Sequence, residues 1–548
     1  MSRHPFLARL ALLCGALFAC AAAASAMAAP AEVWLTGIYR PFEENGPPGK
    51  MVDFLDLFRP DAPWPTAAKH VKVFSTSTDV LIGAPEEQLR AMFMGLRQRG
   101  IAFAAEVAIL PDTRGCGWGV KGAEGYSKPG VMKAMAERIK RLGGTLDAIA
   151  MDEPLWFGHH DSRPGMCQTP IEEMARDVAA QVAAMRQVFP AMRVGDIEPV
   201  GNPEPKDWLA QIAQWSEAYR RAAGEKLAFI RADVNWSGPW QPALSGFVRQ
   251  LRAAGIGYGI IYNGGSGSRG AVEWARQAEE EFAGLEADPA MIPDHAMIQS
   301  WTPWPKRNLP ETESGTLTNL VIRYIAAESR LTVAREGDAI AGRLTDAAGH
   351  PIAGARIAVQ AVGNGRARLG VTETVTGQVP AAAASGLFAL RINTECRCDG
   401  PADVALGRLT YAEPGRAPVA LPIASPKAQS AGGLDRYVAT PGQQVMVNTS
   451  PFPVTPGATF TLTVPMQASA ASHDSGVVGV VFLDKAGNGI QRQVVPFSAG
   501  HADAGSAVTG ADGRFAVRPP PDLLRESPGW QAEFAGNPAF RLAIAREQ

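Results

Sequence analysis

The sequence predicts a (β/α)8 barrel followed by two all-β sandwich domains. Three observations carry that expectation. Short apolar runs alternate with helical periodicity eight times between Ala31 and about Arg330. No Gly-rich phosphate turn follows the first strand, which weighs against the rival, a doubly wound open sheet. After Leu331 helical periodicity stops, and short alternating runs are separated by Gly, Pro, Asp and Asn. At 548 residues the chain is also too long for one ordinary domain.

The elements follow in order. A first strand is expected near Val33–Tyr39, and a second over His70–Thr76 with the helix Glu86–Arg99. The third covers Ile101–Leu110, then a Gly-rich loop and the helix Pro129–Leu142. The fourth is the stretch Leu146 to Trp156, reading LDAIAMDEPLW. It starts as a buried apolar run, delivers Asp152 and Glu153, and stops at Pro154. A long loop and the helix Ile171–Phe189 come next. The fifth strand is Arg193–Glu198 with the helix Lys206–Ala223, and the sixth is Leu227–Trp236 with the helix Leu244–Ala254. The seventh is Ile256–Tyr262 with the helix Gly270–Leu285, and the eighth is His295–Trp301 with a helix from about Gly315 to Glu328. The barrel is therefore expected over residues 30–330, with β-domains over 331–427 and 428–548.

Residues 1–29 read as a secretory signal. Arg3, His4 and Arg9 precede an apolar stretch from Leu10 to Ala24, and Ala26-Met27-Ala28 fits a small-x-small cleavage site. The stretch is short for a bilayer span, and no other membrane segment appears. Leu17-Phe18-Ala19-Cys20 resembles a bacterial lipobox, which makes a lipid anchor at Cys20 the alternative to plain cleavage near Ala28. The expected location is periplasmic or secreted. Four cysteines remain after cleavage: Cys116, Cys167, Cys396 and Cys398. An exported protein can keep disulfides. A Cys116–Cys167 bridge would staple two loops on one rim, whereas Cys396 and Cys398 alternate too closely for a relaxed bridge. Basic residues are scattered and net charge is near zero, so nothing suggests a nucleic-acid partner.

In a barrel, alternate side chains point inward and function gathers at the carboxyl ends of the strands. The inward phase is expected to carry Glu106 on the third strand, Asp152 on the fourth, and Asp196 and Glu198 on the fifth. On the sixth it carries Arg231, Asp233 and Asn235. Tyr262 and Asn263 end the seventh, Gln299 and Trp301 end the eighth, and Lys72 is a further candidate on the second. Acids on four successive strands suit a polyhydroxylated ligand and a protonated carboxyl beside an ionised one. The tryptophans that follow the strands, Trp156, Trp236, Trp240, Trp301 and Trp304, could stack on sugar rings.

Met151-Asp152-Glu153-Pro154 resembles the Asn-Glu-Pro that ends the fourth strand of clan-A (β/α)8 glycoside hydrolases. The resemblance implies a glycosidase in which Glu153 is the acid/base and Asp152 takes the neighbouring, sugar-binding role. It departs from the family twice. Asp stands for Asn at 152, and the seventh strand, where that clan keeps a nucleophilic Glu, carries no acid. The second carboxylate must then be Asp233 or Glu198. Pairing Asp152 with Asp233 is similar to the clan-D arrangement, with Asp152 as nucleophile and Asp233 as acid/base. Carboxyl separations of about 5–5.5 Å would mean retention, and about 6.5–9.5 Å inversion.

The tail carries two further resemblances. AGRLTDAAGHPIAGARIAVQAV is similar to the small β-sandwich of carboxypeptidase regulatory-like domains, and SGVVGVVFLDKAGNGIQRQVVPF resembles a jelly-roll carbohydrate-binding module. Phe452, Phe497 and Trp530 are candidates there for core or for sugar platforms. No metal constellation stands out: His159-His160-Asp161 lacks a third His, and no His-Glu-x-x-His occurs. No Gly-x-Ser-x-Gly elbow is present. Gly264-Gly265-Ser266-Gly267-Ser268 lacks a P-loop Lys and reads as a rim loop. The expectation is an exported glycoside hydrolase acting on carbohydrate without a cofactor. The alternatives are a non-catalytic polysaccharide-binding envelope protein and a polysaccharide lyase, the latter calling for a mouth rich in Arg and Lys.

Overall fold

A computed structural model describes residues 31–41, 49–201, 206–236, 240–265, 268, 270–362, 369–393, 402–426, 429–431, 434–439, 444–468, 476–496, 501–526 and 529–547. The signal segment with Cys20, the pair Cys396 and Cys398, and Phe497 lie outside them. Eight parallel strands close into a barrel: β1 (Glu32–Thr36), β2 (Val71–Ser77), β3 (Ala102–Val107), β4 (Ala148–Asp152), β5 (Arg193–Val200), β6 (Phe229–Val234), β7 (Gly257–Tyr262) and β8 (His295–Ile298). Each pairs with its neighbours in sequence, and β8 closes on β1, with Trp34 opposite Met297. The strands are near-continuous apolar runs because both faces are covered, one by the lumen and one by helices.

Helices wrap the outside. Two short ones, α1 (Pro65–His70) and α2 (Thr78–Gly83), have six residues each and are too brief to show a period in sequence. The longer ones are α3 (Glu86–Arg99), α4 (Val131–Arg141), α5 (Ile171–Arg186), α6 (Trp208–Ala223), α7 (Trp240–Ala254), α8 (Ala271–Glu286) and α9 (Leu317–Ile325). Their ends follow local chemistry. In α3, Glu86 and Glu87 sit in the first turn and Arg97 and Arg99 in the last, each sign opposing the helix dipole. Gly100 then closes the helix in the left-handed conformation at φ 68°.

The lower lumen is plugged by large side chains. Trp34, Phe229 and His295 form a mutual ring cluster with centroids 4.7–5.5 Å apart. Small residues on neighbouring strands make the room. A Cβ on Gly195 would lie 2.1 Å from the Phe229 ring, and one on Gly259 would lie 2.2 Å from His295 Nε2. Alternating large and small residues is how a barrel fills without voids. The plug seals the bottom and leaves the carboxyl ends of the strands as the open end.

The all-β region divides differently from the expected boundary at 427/428. One sandwich is split in sequence. Ser329–Glu336 pairs antiparallel with Ala339–Asp346, which pairs in turn with Arg514–Val517, and Arg356–Val362 pairs with His501–Val508 and Trp530–Phe534. Its core holds Ile340, Ile357, Phe515, Trp530 and Phe534. The second sandwich, from Leu369 to Pro496, is inserted between those halves around Phe388, Tyr411, Phe460 and Phe482. Strand pairing is non-local, so a linear boundary does not reveal the nesting. Trp530 (1% exposed) and Phe452 (6%) are core residues, not surface platforms.

The split sandwich docks on the barrel through ion pairs, one largely buried and one at the edge of the contact. Arg541 binds Glu286 of α8 at 2.7 Å and the carbonyl of Tyr324, while Arg276 binds Glu533 at 2.8 Å. Within the barrel wall beside it, Arg323 binds Glu279 at 2.8 Å. Gly259→Ala tests the lumen packing. It should lower stability by about 1–3 kcal/mol through overpacking against His295, read as a shift in denaturant midpoint; an unchanged midpoint would contradict the packing described.

Candidate active site

Inward phase decides which acids reach the mouth. Ala104 and Ala150 lie in the lumen, so Glu106 and Asp152, two residues further along β3 and β4, point inward at the open end. On β6 the inward series is Phe229, Arg231, Asp233 and Asn235. The register sets Asp152 opposite Ile197 and Asp233 opposite Pro199, so Asp233 stands one inward step nearer the rim along β5. Gln299 follows β8 and donates its Nε2–H to Glu106 Oε2 at 3.0 Å. Asn263 is buried, Asn235 is half-buried, and Trp301 is 40% exposed. These three line, with Asp233 and Trp236, one end of a cleft of about 2340 Å³ that runs on past α8 to the split sandwich.

Glu153 is held by its backbone. It has φ 46°, a left-handed conformation that a residue with a Cβ adopts at a cost of roughly 1–3 kcal/mol. The turn it opens continues as a wide helix over Trp156–His160. The Glu198 carboxylate caps that turn, accepting the N–H of Leu155 at 2.7 Å and of Trp156 at 3.2 Å. Glu153 itself is 9% exposed.

Several expected inward residues point elsewhere. On β5 the lumen takes Ile197, with Gly195 beneath it against Phe229, so Asp196 and Glu198 face outward. Asp196 is fully buried against α6, where it accepts the Trp215 indole N–H at 2.6 Å and the Ile197 N–H at 3.1 Å. Glu198 is likewise fully buried, and its two oxygens are taken by the turn after β4. Neither reaches the mouth. On β7, Ile261 faces the lumen, which sends Tyr262 into the helix layer. There its hydroxyl donates to Glu286 at 3.0 Å and its ring packs on Phe282 and Tyr324. Lys72 is exposed because Val73 takes the inward position on β2.

One rim acid carries no sequence signal. Glu124 lies in the Gly-rich loop after β3, where no periodicity marks it. Leu110–Pro111 and Tyr126–Ser127 form a two-stranded ribbon at the loop's base, and the Cys116–Cys167 disulfide ties the loop to the one after β4. Gly125 packs so closely on the end of β4 that a Cβ there would lie 2.4 Å from the Asp152 carbonyl oxygen. Arg163 adds a hydrogen bond to the Gly122 carbonyl at 2.8 Å.

The mouth is thus crowded with like charge. Burial, then Glu106, Glu124 and Asp233, hold the Asp152 carboxyl well above its usual range. Burial, then Asp233, Asp152, Glu198 and Glu124, do the same to Glu153. Asp233 is raised to about 7 by burial and by Glu124 and Glu106. Glu106 is raised by burial, opposed by its bond from Gln299 and by the Arg231 charge. Glu124, although exposed at the rim, is raised by partial desolvation of its carboxyl and by Glu106, opposed by the Arg163 charge. Such a cluster titrates as a unit and keeps protons at neutral pH. Arg231 lies beneath, fully buried, its guanidinium 5.0 Å from the Trp34 ring centre and hydrogen-bonded at 3.3 Å to His295. Burial lowers its pKa to about 10, and burial with the Arg231 charge holds His295 neutral.

The His159-His160-Asp161 run is engaged locally. His159 Nδ1 bonds the Thr169 carbonyl at 2.8 Å, His160 packs on Trp156 and Trp208, and Asp161 binds Arg163 at 2.5 Å. Among the described residues, no group of three or more His, Cys, Asp or Glu side chains could hold a metal ion. In the Gly264-Gly265 loop, Gly265 N–H and Ser268 Oγ both donate to Gln277 of α8 at 2.8 Å. No helix of the described residues is long and apolar enough to cross a membrane.

No protein-family model and no curated relative matches the chain. Among solved structures it is similar to a family 86 glycoside hydrolase crystallised with neoagarooctaose: TM-score 0.34 and 12% identity, over 80% of this chain and 95% of that one. It is also similar to an endo-beta-1,4-mannanase of Cellulomonas fimi (TM-score 0.35, 12% identity, 85% and 94% covered). A carboxyl transferase domain of Rhizobium etli pyruvate carboxylase is matched too (TM-score 0.30, 12% identity, 49% and 39% covered). At these scores the likeness assigns no chemistry to the chain.

A carboxyl raised in the fold binds its proton more tightly folded than unfolded. Its contribution to stability is full in acid and is lost as pH rises from the ordinary carboxylate range through its folded pKa. For Asp233 that window runs from about pH 4 to about pH 7. Asp233→Asn should therefore be more stable than the parent at pH 8, by about 1–2 kcal/mol once screening at the open mouth is allowed for. The two should converge in acid. Parallel melting curves across pH would contradict the charge crowding.

Proposed function

We propose that the chain is an exported glycoside hydrolase that cleaves a poly- or oligosaccharide with carboxylates of its barrel mouth. The observation that carries the reading is the pair Glu153 and Asp233: two carboxyls from the ends of β4 and β6, Glu153 buried and Asp233 lining the cleft, each raised by burial and then by other acids of the mouth. In this reading Asp233 carries the charge of the pair. Glu153 keeps its proton and is the general acid. In the step proposed, Glu153 passes its proton to the glycosidic oxygen, the C–O bond to the leaving sugar breaks, and the positive charge developing on the ring is met by the Asp233 carboxylate. Asp233 then either bonds the anomeric carbon or takes a proton from the attacking water. Asp152, beside Glu153, would hydrogen-bond a ring hydroxyl, with Asn235, Asn263 and Gln299 as further polar contacts and Trp301 as a stacking surface. Glu198 has no part in the chemistry; it positions the Glu153 turn.

Export is supported by the leader-like residues 1–29 and by a disulfide of the kind that oxidising compartments allow. The chemistry needs no cofactor. Glu153→Gln and Asp233→Asn, each folded, should lower kcat/KM at least about 100-fold on whichever member of a polysaccharide panel the parent cleaves. Full activity in both would overturn the assignment. Binding without turnover by the parent would favour a polysaccharide receptor.

A further inference from the structure

An acid/base pair needs two carboxyls, and five gather here: the inward phase brings Glu106, Asp152 and Asp233 to the mouth, Glu153 follows β4 directly, and Glu124 precedes Gly125, which packs on the end of β4. They come from three strand ends and a disulfide-tied loop, so no single local feature explains their convergence. Glu106 is matched by Gln299, but no hydrogen bond or ion pair to a protein cation meets the carboxyls of Glu124, Glu153 or Asp233 among the described residues. Glu153 is the strongest case, being nine-tenths buried, unpartnered and within the field of three other mouth acids.

The cations near the mouth make no ion pair with Glu124, Glu153 or Asp233, although the Arg231 charge acts on Glu106 and the Arg163 charge on Glu124. Arg231 lies beneath the mouth among Trp34, Phe229 and His295. Arg163 is bound by Asp161, and Lys306, further along the cleft, sits 5.2 Å over the Trp304 ring. A uronate would add charge of the same sign to this mouth, and a neutral sugar would leave the excess carboxyls to be silenced by protons alone. A ligand that brings its own positive charge lets them ionise and gains Coulombic attraction in a partly desolvated site.

We infer that the sugar bound at this mouth carries a protonated amine, so that the substrate class is a polysaccharide containing unacetylated amino sugars. The inference rests on the proposed reading of the mouth as a sugar site and adds the chemistry of the sugar. The loop acid Glu124 is then a specificity-determining residue: it supplies negative charge from a segment that builds no part of the barrel. An ammonium arriving among raised carboxyls lowers their pKa, and the complex gives up protons as it forms.

Calorimetric titration of the full chain with soluble glucosamine and galactosamine oligosaccharides tests this. Their fully N-acetylated counterparts and a uronate oligosaccharide of equal length serve as comparisons, at about pH 6 and low salt. At least one amine-bearing ligand should bind about tenfold or more tightly than its acetylated form. Its binding should release protons, seen as a dependence of the heat on buffer ionisation enthalpy, and the preference should shrink in high salt. Glu124→Gln, a change at an exposed loop position, should cut the preference several-fold. Equal or tighter binding of the acetylated or uronate ligands, or no binding of the amine-bearing ones, would overturn the inference. Tight amine-dependent binding without cleavage would sustain it and sink the hydrolase reading. Cleavage of a neutral polymer with no amine preference would do the reverse.

Discussion

Glu198 is fully buried, and its two carboxylate oxygens accept the N–H groups of Leu155 and Trp156. Those are orphan donors at the start of a helical turn, and burying them without an acceptor would cost free energy. The consequence reaches the mouth. With Leu155 and Trp156 anchored to β5, the chain must leave β4 abruptly, and it does so through Glu153 at φ 46°. The strained residue is thus over-determined from both sides: by the barrel register below it and by the cap beyond it. An acid that takes no part in the proposed chemistry fixes where the proposed acid stands.

The plug of the lumen supports the same end. Trp34, Phe229 and His295 fill the lower barrel, and Gly195 and Gly259 are small so that they can. Arg231 lies among these rings with a neutral His295 as partner. The carboxyls therefore face solvent on one side and a desolvated, weakly cationic floor on the other. Like charges in such a setting feel one another strongly, which is why burial and the neighbouring acids act together on Asp152, Glu153 and Asp233.

Much of this was legible in the sequence, for a definable reason. On β3 and β4 the inward positions are alanines at alternate places, and the alternation carries straight into Glu106 and Asp152. On β6 the series from Phe229 through Arg231 to Asp233 alternates as cleanly. On β5 the cue inverted. Gly195 and Ile197 face the lumen because Phe229 needs space, and the acids face outward because Trp215 and the Leu155 turn supply donors that no local pattern announces. Tyr262 misled for a related reason: its polar tip is satisfied by Glu286 in the helix layer. Glu124 was invisible, since its position follows from a disulfide, a short ribbon and one close glycine contact. The Cys116–Cys167 bridge itself was readable from two cysteines after successive strands. The nesting of the two sandwiches was not, because it depends on strand pairs more than 150 residues apart in sequence, such as Ile340 with Val517.

The proposed chemistry requires Glu153 and Asp233 to share one electrostatic site in which Glu153 keeps its proton near neutral pH. Titration of side-chain carboxyl carbon signals in selectively labelled protein reads this directly, with Glu153→Gln and Asp233→Asn used for assignment. The Glu153 carboxyl should titrate well above the ordinary glutamate range, and its midpoint should fall when Asp233 is made neutral. A Glu153 midpoint in the ordinary range, unmoved by Asp233→Asn, would contradict the proposed chemistry.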